Sequence, residues 1–264
     1  MCGIGLVNKD DKHAPQIIKA ANCELCTYSE ESKEADFVAS DIRYVSQPDF
    51  VGTEFHISGK YDMEVRLGIP GLFNVVNALA AVSVCSFLGL DQARISHALE
   101  NIRVNGRMEI VYTSERCTVL VDYAHNAVSM ESLLSTLRDY KPKRLVCVFG
   151  CGGNRSKDRR YSMGEIGGKM ADLSIITADN SRYEKVEDII ADIRGSIEKT
   201  GGKFIEIPDR REAIRYSILH AQPGDMVAVI GKGHEDYQEI NGVRHHFLDR
   251  EVIEETVKEL GEKA

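Results

Sequence analysis

Leu145-Val146-Cys147-Val148-Phe149 runs without a break into Gly150-Cys151-Gly152-Gly153-Asn154-Arg155-Ser156-Lys157. Five apolar residues with no polar alternation read as a strand buried on both faces, the pattern of a parallel sheet covered by helices. A glycine-rich, basic loop directly after it puts chemistry at the strand's carboxyl end, where open parallel sheets bind ligands. Comparable runs recur at 118–121, 173–177, 204–207 and 226–230. Helical faces lie between them: Met130, Leu133, Leu134 and Leu137; then Ile189, Ile190, Ile193 and Ile197; then Ala213, Ile214, Ser217, Ile218 and Ala221 after a candidate N-cap at Asp209. Alternating strands and helices predict an α/β fold with a Rossmann-like, mostly parallel sheet and helices on both faces. Near the end, 238–240 and 243–247 flank Asn241-Gly242, a strong hairpin signal, and a last helix is expected over 251–260.

Upstream the rhythm differs. A strand at 5–7 and a short helix at 14–21 come first, and the alternating runs that follow at 37–45, 54–58 and 63–67 suggest an antiparallel meander. A long apolar helix over 73–88 ends at Gly89, and a second over 92–102 follows the candidate N-cap Asp91. Asn105-Gly106 is a turn signal and marks the expected boundary between a domain at 1–105 and one at 106–264. The chain of 264 residues carries 33 Lys+Arg against 41 Asp+Glu, a net charge of -8, so a general nucleic-acid or anionic-membrane binder is not expected. The seven cysteines (Cys2, Cys23, Cys26, Cys85, Cys117, Cys147 and Cys151) are scattered and odd in number, which reads as a reducing, cytoplasmic protein rather than a disulfide framework. Cys23 and Cys26 form a single CxxC with no second pair, so no metal site is expected there.

The residues that follow four of the five expected strands are consistent in character. They are Asp122-Tyr123-Ala124-His125, the glycine loop with Arg155, Lys157, Arg159 and Arg160, Asp179-Asn180-Ser181-Arg182, and Gly231-Lys232-Gly233-His234-Glu235. Four such loops on one rim predict a binding site. Glycines 150, 152 and 153 are expected to allow positive φ and to turn N–H groups toward an anion. Asp122 can hold a ribose hydroxyl or a Mg²⁺-bound water, or simply cap the next helix. Arg182 offers a fork for a carboxylate and Glu235 the opposite charge for an ammonium, a pairing suited to a zwitterionic amino acid. His245 and His246, adjacent on an expected strand, read as structural.

Taken together, Gly71 with Asn74-Val75-Val76-Asn77-Ala78-Leu79-Ala80-Ala81, Gly106-Arg107-Met108-Glu109, the Asp122 loop, Phe149-Gly150-Cys151-Gly152-Gly153 and Gly231-Lys232-Gly233-His234-Glu235 resemble, in order and spacing, the motifs of the Mur ligases. These are the ATP-dependent ligases of peptidoglycan synthesis, and the resemblance is to the branch that adds the third residue of the stem peptide. It runs from about Leu6 to the end of the chain.

The resemblance implies several roles. Asn77, Arg107, Asp122 and His125 would bind ATP. Arg160, Asp179, Asn180, Ser181, Arg182, Gly231 and Glu235 would hold the incoming amino acid. The family's Asp-Asn-Pro-Arg motif accompanies meso-diaminopimelate, whereas lysine-adding members lack the Arg; here Ser181 stands at the Pro position and Arg182 is kept. The implied reaction uses ATP and Mg²⁺ to activate the D-Glu carboxylate of UDP-MurNAc-L-Ala-D-Glu as an acyl phosphate, which the amine of the amino acid then attacks. No GxxxxGK[ST] phosphate loop occurs in the sequence. The chain is therefore expected to hold part of the central ATP-binding domain and all of the amino-acid-binding domain, and to be inactive alone. The alternatives are a lysine-adding enzyme and a non-catalytic module derived from one. A nucleotide-linked oxidoreductase would want GxGxxG after the first strand of the second domain, where Asp122-Tyr123-Ala124-His125 stands instead.

Overall fold

The computed structural model describes residues 3–261, so Cys2 lies outside the described residues. The chain divides into two compact units, one of residues 1–46 and 50–103 and one of 47–49 and 104–264.

The first unit carries β1 (Ile4–Asn8), α1 (Ala14–Ala20), β2 (Glu24–Ser29), β3 (Phe37–Gln47), β4 (Phe50–Gly59), β5 (Met63–Leu67), α2 (Leu72–Phe87) and α3 (Gln92–Asn101). Its strands form one sheet in sequential order. The runs of the expected meander, β3, β4 and β5, lie side by side in that order, and β4 pairs with β5 antiparallel; ahead of them β1 pairs with β2 in parallel, as does β2 with β3. The run Glu24–Ser29 buries only Cys26 and Ser29, three residues apart, so its sequence carries no strand alternation. Phe37, Phe55, Ile57, Val65 and Leu67 pack against Val75, Leu79 and Val82 of α2 and Ile95 and Leu99 of α3. Asp91 caps α3 by accepting from Arg94 N, as its position predicted.

The second unit continues with β6 (Glu109–Thr113), β7 (Cys117–Asp122), α4 (Ala127–Asp139), β8 (Arg144–Phe149), α5 (Asp158–Met170), β9 (Leu173–Ile176), α6 (Val186–Thr200), β10 (Phe204–Glu206), α7 (Arg210–Leu219), β11 (Asp225–Ile230), β12 (Tyr237–Ile240), β13 (Val243–His246) and α8 (Asp249–Glu259). The main sheet runs β10-β9-β8-β11-β7-β6 and is parallel apart from β6, an edge strand that the sequence pattern did not reveal. Every residue of β11 is buried, as are five of six in β7 and β8, which is why these strands read as unbroken apolar runs. The order reverses at β11, which returns between β7 and β8, so their carboxyl ends frame the crevice where such sheets take ligands.

Local chemistry explains the helix ends. Asn126 and Ser129 form a reciprocal capping box at α4, and Asp209 accepts from Glu212 N at α7. Asn241 (φ 50°) and Gly242 (φ 76°) turn the β12–β13 hairpin as the dipeptide predicted.

Candidate functional site

A cavity of about 310 Å³ opens at the carboxyl ends of the central strands, a volume sufficient for an amino acid. Tyr123 and His125 reach it from the end of β7, Gly150, Cys151 and Gly152 from β8, and Asp179, Asn180 and Arg182 from β9. Gly231 and Glu235 come from β11, and Arg155 and Arg159 complete it. All four strand-end loops singled out in the sequence therefore converge.

The glycine loop does not work as expected. None of Gly150, Gly152 and Gly153 has positive φ, and α5 starts only at Asp158, so these glycines do not sit at its N-terminus. Their role is close approach. A Cβ on Gly150 would sit 2.2 Å from the Thr177 carbonyl oxygen, and one on Gly153 would sit 1.9 Å from that of Ser181. The loops after β8 and β9 lie backbone to backbone, joined by Gly153 N donating to Asn180 O at 2.8 Å.

Asn180 is the strut of the site. Its amide donates to Glu235 Oε2 at 3.0 Å, while its Oδ1 accepts from Glu239 N at 3.0 Å and from Lys232 Nζ at 3.3 Å. Lys232, whose side chain is fully buried, also lies 3.3 Å from Glu235 and 3.7 Å from Asp179. In the sequence it stands only as one residue of the Gly231–Glu235 motif, yet it is the cation that holds both acids in place. Tyr123 lies beside Glu235, and burial first, then the Glu235 charge, raises its phenol above the ordinary range.

Arg182 adopts φ 51°, a left-handed conformation unusual for a residue with a side chain. Its Nη1 donates to Gly153 O at 2.8 Å and its Nε lies 3.3 Å from Glu239 Oε2. Ser181 is buried under this loop and does not line the cavity.

Arg160 also lies away from the cavity lining. It is 1 % exposed, with Nη2 2.8 Å from both Glu184 oxygens and Nη1 2.9 Å from Asp192. Lys157 pairs with the same Asp192 at 3.0 Å. The arginine that reaches the cavity from this helix is Arg159, one residue earlier. Neither its guanidinium nor that of Arg155 has a hydrogen bond or ion pair among the described residues, so both charges are uncommitted. Both stood in the basic cluster of the sequence; only three-dimensional pairing separates them from Lys157 and Arg160.

Of the residues assigned to ATP, His125 lines this same cavity, its Nδ1 2.9 Å from Tyr123 O, which leaves Nε2 for a ligand. Asp122 does not cap α4. It accepts from Met108 N at 2.8 Å and Ala124 N at 2.7 Å, and burial raises its carboxyl against those bonds and the Arg107 charge. Each oxygen keeps one lone pair, enough to accept from a hydroxyl. Arg107 is exposed and stacks only over the Tyr123 ring, at 5.6 Å. These residues fit a nucleotide's ribose and phosphates. Asn77 lies exposed on α2 in the first unit, donating to Asn74 Oδ1 at 3.3 Å. Among the described residues no group of three or more His, Cys, Asp or Glu could hold a metal, although Mg²⁺ carried by phosphates needs few protein carboxylates. Among them, too, no helix is long and apolar enough to cross a membrane. His246, on β13, lies 2.6 Å from Glu251.

A parallel α/β unit with a mixed-charge cavity at its strand ends defines a small-molecule-binding domain of the ligand-at-the-rim kind. Comparison makes it specific. Residues 106–233 match the family described as Mur ligase, glutamate ligase domain, and residues 1–85 match the Mur ligase middle domain. Two relatives are named UDP-N-acetylmuramoyl-L-alanyl-D-glutamate–2,6-diaminopimelate ligase. That of Trichormus variabilis is 41 % identical over 253 residues, 94 % of this chain and 50 % of the relative. The second such enzyme of Clostridium acetobutylicum is 40 % identical over 256 residues, 97 % of this chain and 52 % of the relative. A solved structure of a ligase of the same name superposes with a TM-score of 0.79 at 34 % identity, covering 98 % of this chain and 54 % of that one. The chain belongs to the Mur ligase family. It spans about half the length of the curated relatives it matches.

Proposed function

We propose that this chain supplies the amino-acid-binding half of an ATP-dependent ligase that adds meso-diaminopimelate to UDP-MurNAc-L-Ala-D-Glu. The observation that carries the reading is one cavity that holds Arg182 and Glu235 on separate loops, with Arg155 and Arg159 free of internal partners. A zwitterion with a second carboxylate matches that charge pattern: Glu235 takes an ammonium group, and the arginines take carboxylates. The names of the relatives point to the same amino acid. In this reading Asp122 accepts from a ribose hydroxyl and Arg107 meets the phosphates. His125, at the cavity wall, stands between nucleotide and amino acid. Bound ATP with Mg²⁺ supplies the activation of the carboxylate. The chain's own contribution is to orient the amine and neutralise charge around it. A location in the cytoplasm, where a nucleotide-linked substrate and ATP are both present, follows from the same reading.

Calorimetry on the full chain tests this. Arg182→Ala is expected to weaken meso-diaminopimelate binding by about tenfold or more, the scale of one lost charged hydrogen-bond pair. Its effect on L-lysine, which lacks the second carboxylate, is expected to be small. Equal losses for both ligands, or no loss for either, would sink the proposal.

A further inference from the structure

The β12–β13 hairpin lies outside the main sheet, yet it is sewn to the Arg182 loop from both sides. Arg182 N donates to Glu239 O at 2.9 Å, and Asn241 N donates to Arg182 O at 2.6 Å. A parallel bridge joins Arg182 to Ile240, and Glu239 N donates to Asn180 Oδ1 at 3.0 Å. These bonds over-determine the left-handed backbone of Arg182, which otherwise costs energy for a residue with a Cβ.

The same hairpin also reaches the side chain. Glu239 Oε2 stands 3.3 Å from Arg182 Nε, and both side chains are less than a quarter exposed. A guanidinium can bind a carboxylate side-on, through Nε and one Nη, or end-on, through both Nη atoms. Here Nε faces Glu239 and one Nη1 hydrogen is given to Gly153 O. The other donors, both on Nη2 and one on Nη1, have no hydrogen bond among the described residues.

Resting on the amino-acid-binding role above, we propose that Glu239 is a positioning residue that sets the specificity of Arg182. It closes the side-on edge of the guanidinium, so that a carboxylate enters end-on, and it competes with that carboxylate for the arginine's charge. Selectivity for a dicarboxylic amino acid is thereby tuned from the hairpin, by a residue outside the cavity lining.

Calorimetry of the full chain with meso-diaminopimelate and with L-lysine, on wild type, Glu239→Gln, Glu239→Ala and Arg182→Ala, decides this. Glu239→Gln keeps the shape and removes the competing charge. It is expected to tighten diaminopimelate binding by about two- to fivefold, the range of a partly exposed ion pair, and to leave L-lysine unchanged. Glu239→Ala also frees the side-on edge and is expected to widen the range of dicarboxylic ligands accepted, with D,L-2-aminoadipate as the probe. The ¹⁵N resonance of Arg182 Nε is expected to move in Glu239→Gln without ligand, a readout that general loosening would not confine to one side chain. An unchanged diaminopimelate-to-lysine ratio in both Glu239 variants, with binding lost in Arg182→Ala, overturns the role of Glu239 alone. Absence of diaminopimelate binding by wild type, or its survival in Arg182→Ala, overturns the proposed function and this inference with it.

Discussion

Arg210 Nη2 and Asp249 Oδ2 lie 2.7 Å apart, and both side chains are fully buried. The pair joins the start of α7 to the start of α8. The same guanidinium donates to Ala178 O at 3.2 Å and to Ile230 O at 3.0 Å. Those carbonyls immediately precede Asp179 and Gly231, so a pair remote from the ligand fixes the roots of two cavity loops.

Arg210→Met leaves a buried carboxylate without its cation and two carbonyls without donors. Breaking a buried pair by one partner costs about 3–5 kcal/mol. Urea unfolding is expected to show that loss in Arg210→Met, and a smaller one in the double variant Arg210→Met with Asp249→Leu, where no uncompensated charge remains. Equal losses in single and double variants would contradict the account.

The approach of the two loops around Gly153 makes a second prediction. A methyl there would overlap the Ser181 carbonyl, which belongs to backbone and cannot swing aside. Gly153→Ala is expected to cost about 1–3 kcal/mol as overpacking and to displace Arg182, whose Nη1 bonds Gly153 O. Both unfolding and diaminopimelate titration should register it. Gly195→Ala on α6, where a Cβ would meet nothing within 4 Å, is the control expected to be neutral or slightly stabilising.

These cases mark how far the sequence could be read. The parallel sheet was legible because strands buried on both faces leave no polar alternation, as in β8 and β11. The rim was legible because acids, bases and glycines cluster after those strands. The strand β2 was not, since Glu24–Ser29 buries only Cys26 and Ser29 and so shows neither an unbroken apolar run nor a clean alternation. The partition of the basic cluster was not either, because Arg159 and Arg160 differ only in which side of α5 they occupy. Ser181 lacks the fixed φ of the Pro that the resemblance would put there, and its turn is pinned instead by Glu184 N donating to Ser181 O and by the hairpin.

Arg160 supplies a pH test. Glu184 is held below the ordinary glutamate range by the Asn154 N–H and then by Arg160. Burial alone would raise Asp192, but hydrogen bonds from Arg160 and Lys157 hold it low. A carboxyl depressed in the folded state adds stability above its unfolded pKa and loses it as pH falls through the folded one. Arg160→Ala is therefore expected to be destabilised at neutral pH, with the gap to wild type narrowing below the ordinary carboxylate range. A gap that stays constant from neutral to acid pH would mean that Arg160 acts through packing alone.

Arg155 and Arg159 should behave in the opposite way. Neither has an internal ion pair to lose, so alanine at either position is expected to change unfolding by no more than about 0.5 kcal/mol. Each faces the cavity with an unspent charge, and a carboxylate or phosphate bound there would lose a charge-assisted hydrogen bond worth about 1.5–3 kcal/mol. Arg159→Ala should therefore weaken diaminopimelate binding by about tenfold or more while its melting curve overlays that of wild type. Arg159→Lys restores the charge but not the planar fork, and is expected to recover only part of the affinity. If Arg159→Ala binds as wild type does while Arg160→Ala fails to bind without losing stability, the two arginines have been assigned the wrong way round.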